Sequence, residues 1–233
     1  MQNFGTMRIL VTLTLLASVV AVTPKTHAQN IRQYQLEPGT NGLELMVKEV
    51  AQPSPGANEV LVRVRAVSLN RRDVSILGRG VANGLVPTSD GAGEVISLGP
   101  GVTQFAVGDR VAGTFFADWS GGRRTREAMA TARGGGIDGM LTEMIVSHEA
   151  GLVTIPDYLS FEEAATLPCA AVTAWRALFT EGDLEPGDTV LLEGTGGVSI
   201  FGLQLASAAG ANPIITSSSD TKLERVKLLG ATG

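Results

Sequence analysis

Residues 188–210, DTVLLEGTGGVSIFGLQLASAAG, constrain the fold of this chain more than any other stretch. Thr189–Leu192 is a short apolar run with the length and β-branching of a buried strand. A glycine turn follows at Gly194, Gly196 and Gly197, with Thr195 inside it. Beyond it Val198, Phe201, Leu205 and Ala208 recur at helical spacing, and Gly210 stops the pattern. A helix that begins after such a turn presents unpaired N–H groups and the positive end of its dipole, which suits a phosphate. Gly194 permits the sharp bend, and Gly196 lets the backbone approach a pyrophosphate. The third position of the dinucleotide fingerprint asks for a small residue so that helix and strand can close. Ser199 stands there, in place of the usual glycine or alanine. The candidate cofactor-binding group is therefore Gly194, Thr195, Gly196, Gly197, Val198 and Ser199. The plainer alternative is an ordinary strand-to-helix turn of an α/β protein.

A second strand–helix unit follows. Asn212–Thr216 reads as a strand with Pro213 near its start, where proline is tolerated. Lys222–Leu229 reads as a helix, with Thr221 and Glu224 spaced as a capping box and Gly230 as the stop. The end of this strand lies about 20 residues past the glycine turn, where an acidic side chain would hold the ribose 2′-hydroxyl of NAD. Ser217 and Ser218 occupy the place, with Lys222 nearby. Hydroxyls and a cation suit a 2′-phosphate better than a carboxylate would, so the sequence favours NADP, with NAD possible. Asp220 takes the acidic role if the strand ends later.

Of 233 residues, 44% are hydrophobic and 18% charged, enough to bury a sizeable core. A net charge of −5 leaves no electrostatic footprint for nucleic acid. The lone Cys169 excludes an internal disulfide, and with two histidines it is too little for a zinc finger.

Residues 1–28 stand apart. Arg8 precedes the apolar run Ile9–Val22, and Thr26-His27-Ala28 puts small residues where a signal peptidase reads. This is the pattern of a secretory signal peptide cleaved after Ala28, which predicts a periplasmic or secreted protein with no membrane contact in the mature form. The run is short for a membrane span. An uncleaved anchor, or a cytoplasmic protein behind a misassigned start, are the alternatives. Export conflicts with a nicotinamide cofactor, which cells keep mainly inside.

Ile31–Ile155 is mostly β in character. Glu59–Leu69 alternates apolar and polar residues, and turn signals recur at Asp90-Gly91, Gly99-Pro100-Gly101 and Gly108-Asp109. Short strands at that spacing predict a barrel or sandwich. Asp118–Gly139, rich in glycine and arginine, predicts an exposed loop made flexible by Gly134–Gly136. Gly139–His148 reads as strand. Ser160–Phe179 reads as a helix capped by Ser160, with Glu162 and Glu163 in its first turn and an interruption at Pro168.

The stretches EVLVRVRAVSLNRRD, SDGAGEVISLGPGVTQFAVGDRV, IPDYLSFEEAATLPCAAVTAWRAL and GDTVLLEGTGGVSIFGLQLA resemble the medium-chain dehydrogenase/reductase superfamily. The resemblance is strongest to its zinc-independent, quinone-oxidoreductase-like and alcohol-dehydrogenase-like members. It implies an α/β plus β architecture. An N-terminal GroES-like β-barrel domain (residues 31–158) precedes an incomplete Rossmann domain with a doubly wound parallel sheet (residues 159–233). Members continue for roughly another hundred residues, as two domains of ordinary size require. A two-stranded parallel sheet would leave an open edge and an uncovered apolar face, so the chain alone is expected to be marginally stable, and its oligomeric state is in doubt.

Zinc-dependent members hold the metal with two cysteines and a histidine, beside a glutamate. Asn70 stands at the first cysteine position, and Ser89 and Asp90 at those of the histidine and glutamate. Only Cys169 matches, so the expectation is no metal, with Cys169 a small buried residue. The resemblance places Thr173 against the nicotinamide and Asn70–Asp73 beside a small-molecule substrate. Asn70 and Arg71 are the candidate catalytic residues, Arg71 as a fixed cation for a developing enolate. The plainer readings are a solvated arginine and turn-forming Asn70 and Asp73. The implied activity is zinc-free hydride transfer from NADPH to a quinone, an enone or a related conjugated carbonyl compound. Alternatives are an alcohol dehydrogenase acting on ordinary alcohols and an inactive, exported relic or binding protein.

Overall fold

The computed structural model describes residues 29–40, 42–77, 83–119 and 121–232. The signal-peptide segment, residues 1–28, lies outside the described residues. The chain opens with an antiparallel hairpin, β1 (Asn30–Gly39) and β2 (Gly42–Ala51), in register from Asn30↔Ala51 to Gly39↔Gly42. Five strands then form one antiparallel sheet: β3 (Glu59–Ser68), β4 (Asp90–Leu98), β5 (Arg110–Gly113), β6 (Met144–His148) and β7 (Leu152–Thr154). Their spatial order is β6-β3-β4-β5-β7.

The expected barrel does not close among the described residues. The hairpin meets the segment before β6 through a single antiparallel bridge, Gln33↔Thr142, flanked by Tyr34 N–H to Leu141 O and Glu143 N–H to Arg32 O, both 3.0 Å, and by the Arg32–Glu143 ion pair at 2.6 Å, with no continuous ladder. At the other edge β7 pairs with β5 alone. The alternation in β3 is also imperfect. Val60, Leu61 and Val62 are all buried, because the register slips at Leu61/Val62 and again at Val64/Ala66. Val60 and Val62 pack with Val95, Val111, Met140 and Ile145 in the core of this domain. Gly139–His148 is strand only from Met144 onward.

The glycine- and arginine-rich segment 118–139 is not the flexible loop its composition suggests. It contains a short helix, α2 (Arg126–Ala130), capped by Thr125, whose Oγ1 accepts from Ala128 N–H at 3.2 Å. Arg133 is 2% exposed and donates to Ser147 Oγ at 2.6 Å and to Thr114 O at 3.2 Å. The glycines serve close approach. A Cβ on Gly136 would lie 1.9 Å from Ala130 O, and one on Gly139 would lie 1.9 Å from Thr88 O.

From Phe161 to Thr180 the chain is helical almost throughout. α3 (Phe161–Ala165) begins with the capping box of Ser160 and Glu163. Pro168 does not break the helix. The missing N–H is absorbed by a widened, π-helical turn at Leu167–Ala171, and the chain continues through α4 (Val172–Trp175) into a second widened turn, Arg176–Thr180. Ala164 and Ala165 dock this stretch on the sheet against Ala92, Ala112 and Ile155.

The last part is β8 (Thr189–Leu192), α5 (Gly197–Ala208), β9 (Asn212–Ile215) and α6 (Asp220–Lys227), with β8 and β9 parallel in register from Thr189↔Asn212 to Leu192↔Ile215. Gly210, at φ +78°, ends α5 as expected, with Ala211 N–H on Ala206 O at 3.0 Å. The buried face of α5 differs from the expected one. It is Gly202, Leu203 and Ala206 that are buried, while Val198 is 43% exposed. In α6 the expected capping box is absent, because the helix starts earlier. Ser219 is the N-cap, Thr221 lies inside the helix, and Glu224 pairs with Lys227 at 2.9 Å.

Candidate functional site

The bend after β8 has the form the sequence predicts. Gly194 sits at φ +77°, a conformation that penalises any side chain. Its amide donates to Thr216 Oγ1 at 3.1 Å, which ties the bend to the end of β9. Gly194 N–H is therefore spent inside the protein. The amides of Gly197, Val198 and Ser199, the first turn of α5, have no acceptor among the described residues, and Gly196 caps the helix without a side chain. A Cβ on Gly196 would meet nothing within 4 Å. The space before these three N–H groups is open, as an anion site at a helix terminus requires.

Ser199 does not carry the closing of helix on strand expected of the third fingerprint position. Its hydroxyl donates to Glu193 O at 2.9 Å and braces the loop. The close approach falls one turn later, at Gly202, where a Cβ would stand 2.9 Å from Leu192 Cδ2. Ser217, Ser218 and Lys222 gather at the end of β9 and the start of α6. Ser217 Oγ accepts from Ser219 N–H at 3.2 Å, while Ser218 and Lys222 are exposed.

A cleft of about 920 Å³ lies between the β domain and the helical stretch. One wall carries Phe115, Phe116 and Trp119, and the other Cys169, Val172 and Thr173. The aromatic wall is stiff: Phe116 meets Phe115 at 4.7 Å and Trp119 at 6.1 Å, both edge to face. Arg176 lies over the Trp119 ring at 5.8 Å, held by Glu181 at 2.6 Å. The Thr173 hydroxyl donates to Cys169 O at 2.6 Å, leaving its lone pairs free to accept. Cys169 is half-buried on the cleft wall rather than inside the core, and burial, with Asp90 adding to it, pushes its thiol up to about 11.

Asn70 and Asp73 are the turn formers at the start of α1 (Arg71–Leu77): Asn70 N–H donates to Asp73 Oδ2 at 2.6 Å, and Asp73 N–H to Asn70 O at 2.9 Å. Asn70 also reaches Asp90, its Nδ2 donating to Oδ2 at 2.9 Å. Arg71 is exposed, forms no ion pair among the described residues and does not line the cleft.

Of the residues singled out from sequence, Cys169 and Thr173 thus share the cleft. The glycine turn, Ser217, Ser218 and Lys222 form a second group outside it, and Asn70, which does not line the cleft, is tied to Cys169 through Asp90. What links the two groups is Ala170. It follows Cys169 directly, and a Cβ on Gly197 would lie 3.5 Å from its side chain. Phe115, Phe116 and Trp119 carry no motif that marks them for the site, and Asp90 is marked only by the family position of the zinc-side glutamate. Burial of Asp90, at 0% exposure, is the signal that sets it apart.

Residues 56–157 match the family model for the alcohol dehydrogenase GroES-like domain. The chain is 50% identical over 186 residues to a zinc-type alcohol dehydrogenase-like protein of Schizosaccharomyces pombe, covering 77% of this chain and 53% of that protein. It is 34% identical over 186 residues to the acryloyl-coenzyme A reductase of Metallosphaera sedula, covering 76% and 56%. The crystal structure of a putative alcohol dehydrogenase from Sinorhizobium meliloti superposes with a TM-score of 0.81 at 43% identity, covering 87% of this chain and 62% of that one. The chain spans little more than half the length of the curated relatives it matches. From the matched domain and from similarity that runs on through the glycine turn, the chain belongs to the medium-chain dehydrogenase/reductase superfamily.

Proposed function

We propose that this chain is the β domain and the first nucleotide-binding unit of a zinc-independent, NAD(P)H-dependent oxidoreductase acting on a quinone, an enone or a related conjugated carbonyl compound. Residues 31–158 form the GroES-like part and residues 159–233 an incomplete Rossmann part. The observation that carries the reading is the set of three unpaired amides at Gly197, Val198 and Ser199, beside Ala170, the residue that follows Cys169 on the cleft wall. An anion gripped there brings the rest of a dinucleotide within reach of Thr173 and the aromatic wall.

A reduced nicotinamide supplies a hydride, and so both electrons, to an electron-poor carbon, and a solvent proton completes the reduction. The chain's own residues bind and orient. The α5 amides hold the pyrophosphate, and Ser217, Ser218 and Lys222 accept a 2′-phosphate in preference to a bare hydroxyl. Phe115, Phe116 and Trp119 keep water from the reacting face and stack a flat substrate. Arg71 supplies positive charge at the solvent margin.

The donor set around Asn70 does not fit zinc. Asn70 turns its amide N–H toward Asp90 and Ser89 offers a neutral hydroxyl, which leaves Cys169 as the one soft donor of the set. An imidazole and a second thiol are what such a site lacks, whatever the protonation of Cys169, since a bound metal would itself deprotonate that thiol. The name of the Schizosaccharomyces relative favours a second reading, a zinc alcohol dehydrogenase. Stoichiometric zinc in the purified chain would establish that reading against ours.

Trp119 and Trp175 give the direct test. Saturable quenching of tryptophan fluorescence by NADPH, with weaker binding of NADH, is the expected result. A flat titration to millimolar NADPH would reject the proposal.

A further inference from the structure

The cleft, at about 920 Å³, is near the upper end of the range for small-molecule sites, roughly 300–1,000 Å³, so it holds a substrate body as well as a nicotinamide ring. Its walls are apolar over most of their extent. Among the described residues, the charged side chains that line it are Arg124, Arg176 and Glu181. Two of these cancel. Glu181 Oε1 accepts from Arg176 Nη2 at 2.6 Å and from Nε at 3.1 Å, while the same guanidinium lies over the Trp119 ring. Arg176 is thereby a strut between the two walls with its charge already met.

Arg124 is left as the uncompensated charge of the cleft. It is exposed and forms no ion pair or hydrogen bond among the described residues. The acids near it in sequence are engaged elsewhere. Glu127 turns to its own backbone N–H and to the Thr125 hydroxyl, and Asp118 acts on Arg133. Arg123 and Arg126, exposed and likewise without an ion pair, strengthen the positive field. A chain of net charge −5 thus turns a positive rim toward this cleft. The rim is anchored as well. Arg124 directly precedes Thr125, the N-cap of α2, and Thr131 at the other end of that helix is stapled to the aromatic wall, its O accepting from Ala117 N–H and its Oγ1 from Asp118 N–H, both at 3.2 Å.

We propose that the substrate of this cleft is an amphipathic acid, a flat apolar body carrying a carboxylate, and that Arg124 is the residue that selects it. Arg123 and Arg126 do not line the cleft, so one guanidinium meets the ligand, and one guanidinium matches a monoanion whose two oxygens fit its fork. The apolar body lies against Phe115 and Phe116 with the carboxylate at the rim. The inference rests on the oxidoreductase reading for the reaction, while the anion site stands without it.

The test uses the full chain with para-carboxybenzalacetone, a flat enone acid, and with its uncharged methyl ester. Calorimetric titration without coenzyme reads binding alone. At low salt the acid should bind about five- to tenfold more tightly than the ester, the value of one partly solvated charge-assisted pair, and the preference should shrink at about 1 M NaCl. Arg124→Gln should abolish the preference, Arg124→Lys should keep part of it, and Arg124→Glu should reverse it. The melting temperature should not move in any of them, since the side chain bonds to nothing in the fold. In turnover NADPH supplies the hydride and solvent the proton, and Arg124→Gln should raise KM for the acid and leave the ester unchanged. No binding of the acid, equal binding of acid and ester by the wild type, or a preference that survives Arg124→Gln overturns the proposal. So does an Arg124→Gln loss that falls on NADPH and spares the acid, because the guanidinium then reads the phosphates of the coenzyme. An Arg124-dependent preference in a chain that ignores NADPH keeps the anion site and removes the oxidoreductase reading. NADPH-dependent turnover of acid and ester alike does the reverse.

Discussion

Replacing Gly196 by valine separates the proposed coenzyme site from the fold. Gly196 caps α5 at φ −81° and ψ 174°, a conformation valine adopts without strain, and a Cβ there meets nothing within 4 Å. Removing the glycine from the unfolded chain gains about 0.4–1 kcal/mol. Valine is a poorer N-cap than glycine and loses a similar amount. The two nearly cancel, and at about 2–4 °C per kcal/mol for a chain of this size the melting temperature should move by less than about 2 °C. Binding should suffer far more. The isopropyl group would stand before the amides of Gly197, Val198 and Ser199, and losing two charge-assisted hydrogen bonds of about 1.5–3 kcal/mol each weakens a pyrophosphate by at least two orders of magnitude. Gly194→Val is the contrast. At φ +77° it strains the backbone by about 1–2 kcal/mol and lowers the melting temperature as well. Thermal unfolding and NADPH titration on the same samples decide the matter. A Gly196→Val protein that melts normally and binds NADPH within threefold of wild type refutes the anion site.

Three further outcomes follow from the packing. Burial pushes the Asp90 carboxyl from 3.8 up to about 6, so its folded-state value is raised and its contribution to stability is present below pH 3.8 and lost as the pH climbs through 6. Relative to Asp90→Asn, urea unfolding should show the wild type losing on the order of 3 kcal/mol between pH 4 and pH 8; a gap that does not change with pH would contradict the buried charge. Gly139→Ala forces a Cβ to 1.9 Å from Thr88 O and should cost about 3 kcal/mol or more in the same assay, since backbone on both sides cannot yield. Ser160→Ala removes the acceptor that holds Glu163 N–H at 3.1 Å and should cost about 1 kcal/mol, read as a melting temperature about 2–4 °C lower.

The strand–turn–helix around Gly194 was legible because each residue there has a single local use. The strand run is β-branched, the bend needs a positive φ, and Gly210 needs one again. The buried face of α5 was not legible. Apolar residues surround that helix on most sides, so their spacing does not choose a face. The choice falls to Gly202, whose missing side chain lets Leu192 approach. Composition misleads at Gly134–Gly139 for a related reason: glycine marks flexible loops and tight contacts alike, and only the position of Thr88 and Ala130 tells them apart. The barrel expectation fails on pairing between distant segments, which alternation within a strand does not encode. At the site, Cys169 stands beside Thr173 on one helical wall of the cleft, where the sequence predicts it buried, and two hydrogen bonds tie Asn70 to Cys169 through Asp90, one spanning 20 residues and the other 79, lengths that no local pattern reports.

The amides of α5 are only as well placed as the helix beneath them. β8 and β9 form a sheet of two strands, covered by α5 on one face while Leu191, 61% exposed, and Ile214, 37% exposed, stand on the other. A pair of strands buries too little to hold its own geometry. The missing support comes from the helical stretch, where Leu178 packs against Ala206 and Ala211, and Ala170 against Gly197. That stretch is itself seated on the β domain by Ala164 and Ala165 and fastened by the Cys169 N–H bond to Asp90. Order therefore passes from the five-stranded sheet through the helix to the anion site. Loosening Asp90 should disturb nucleotide affinity across the whole length of that path, although no atom of Asp90 lines the cleft.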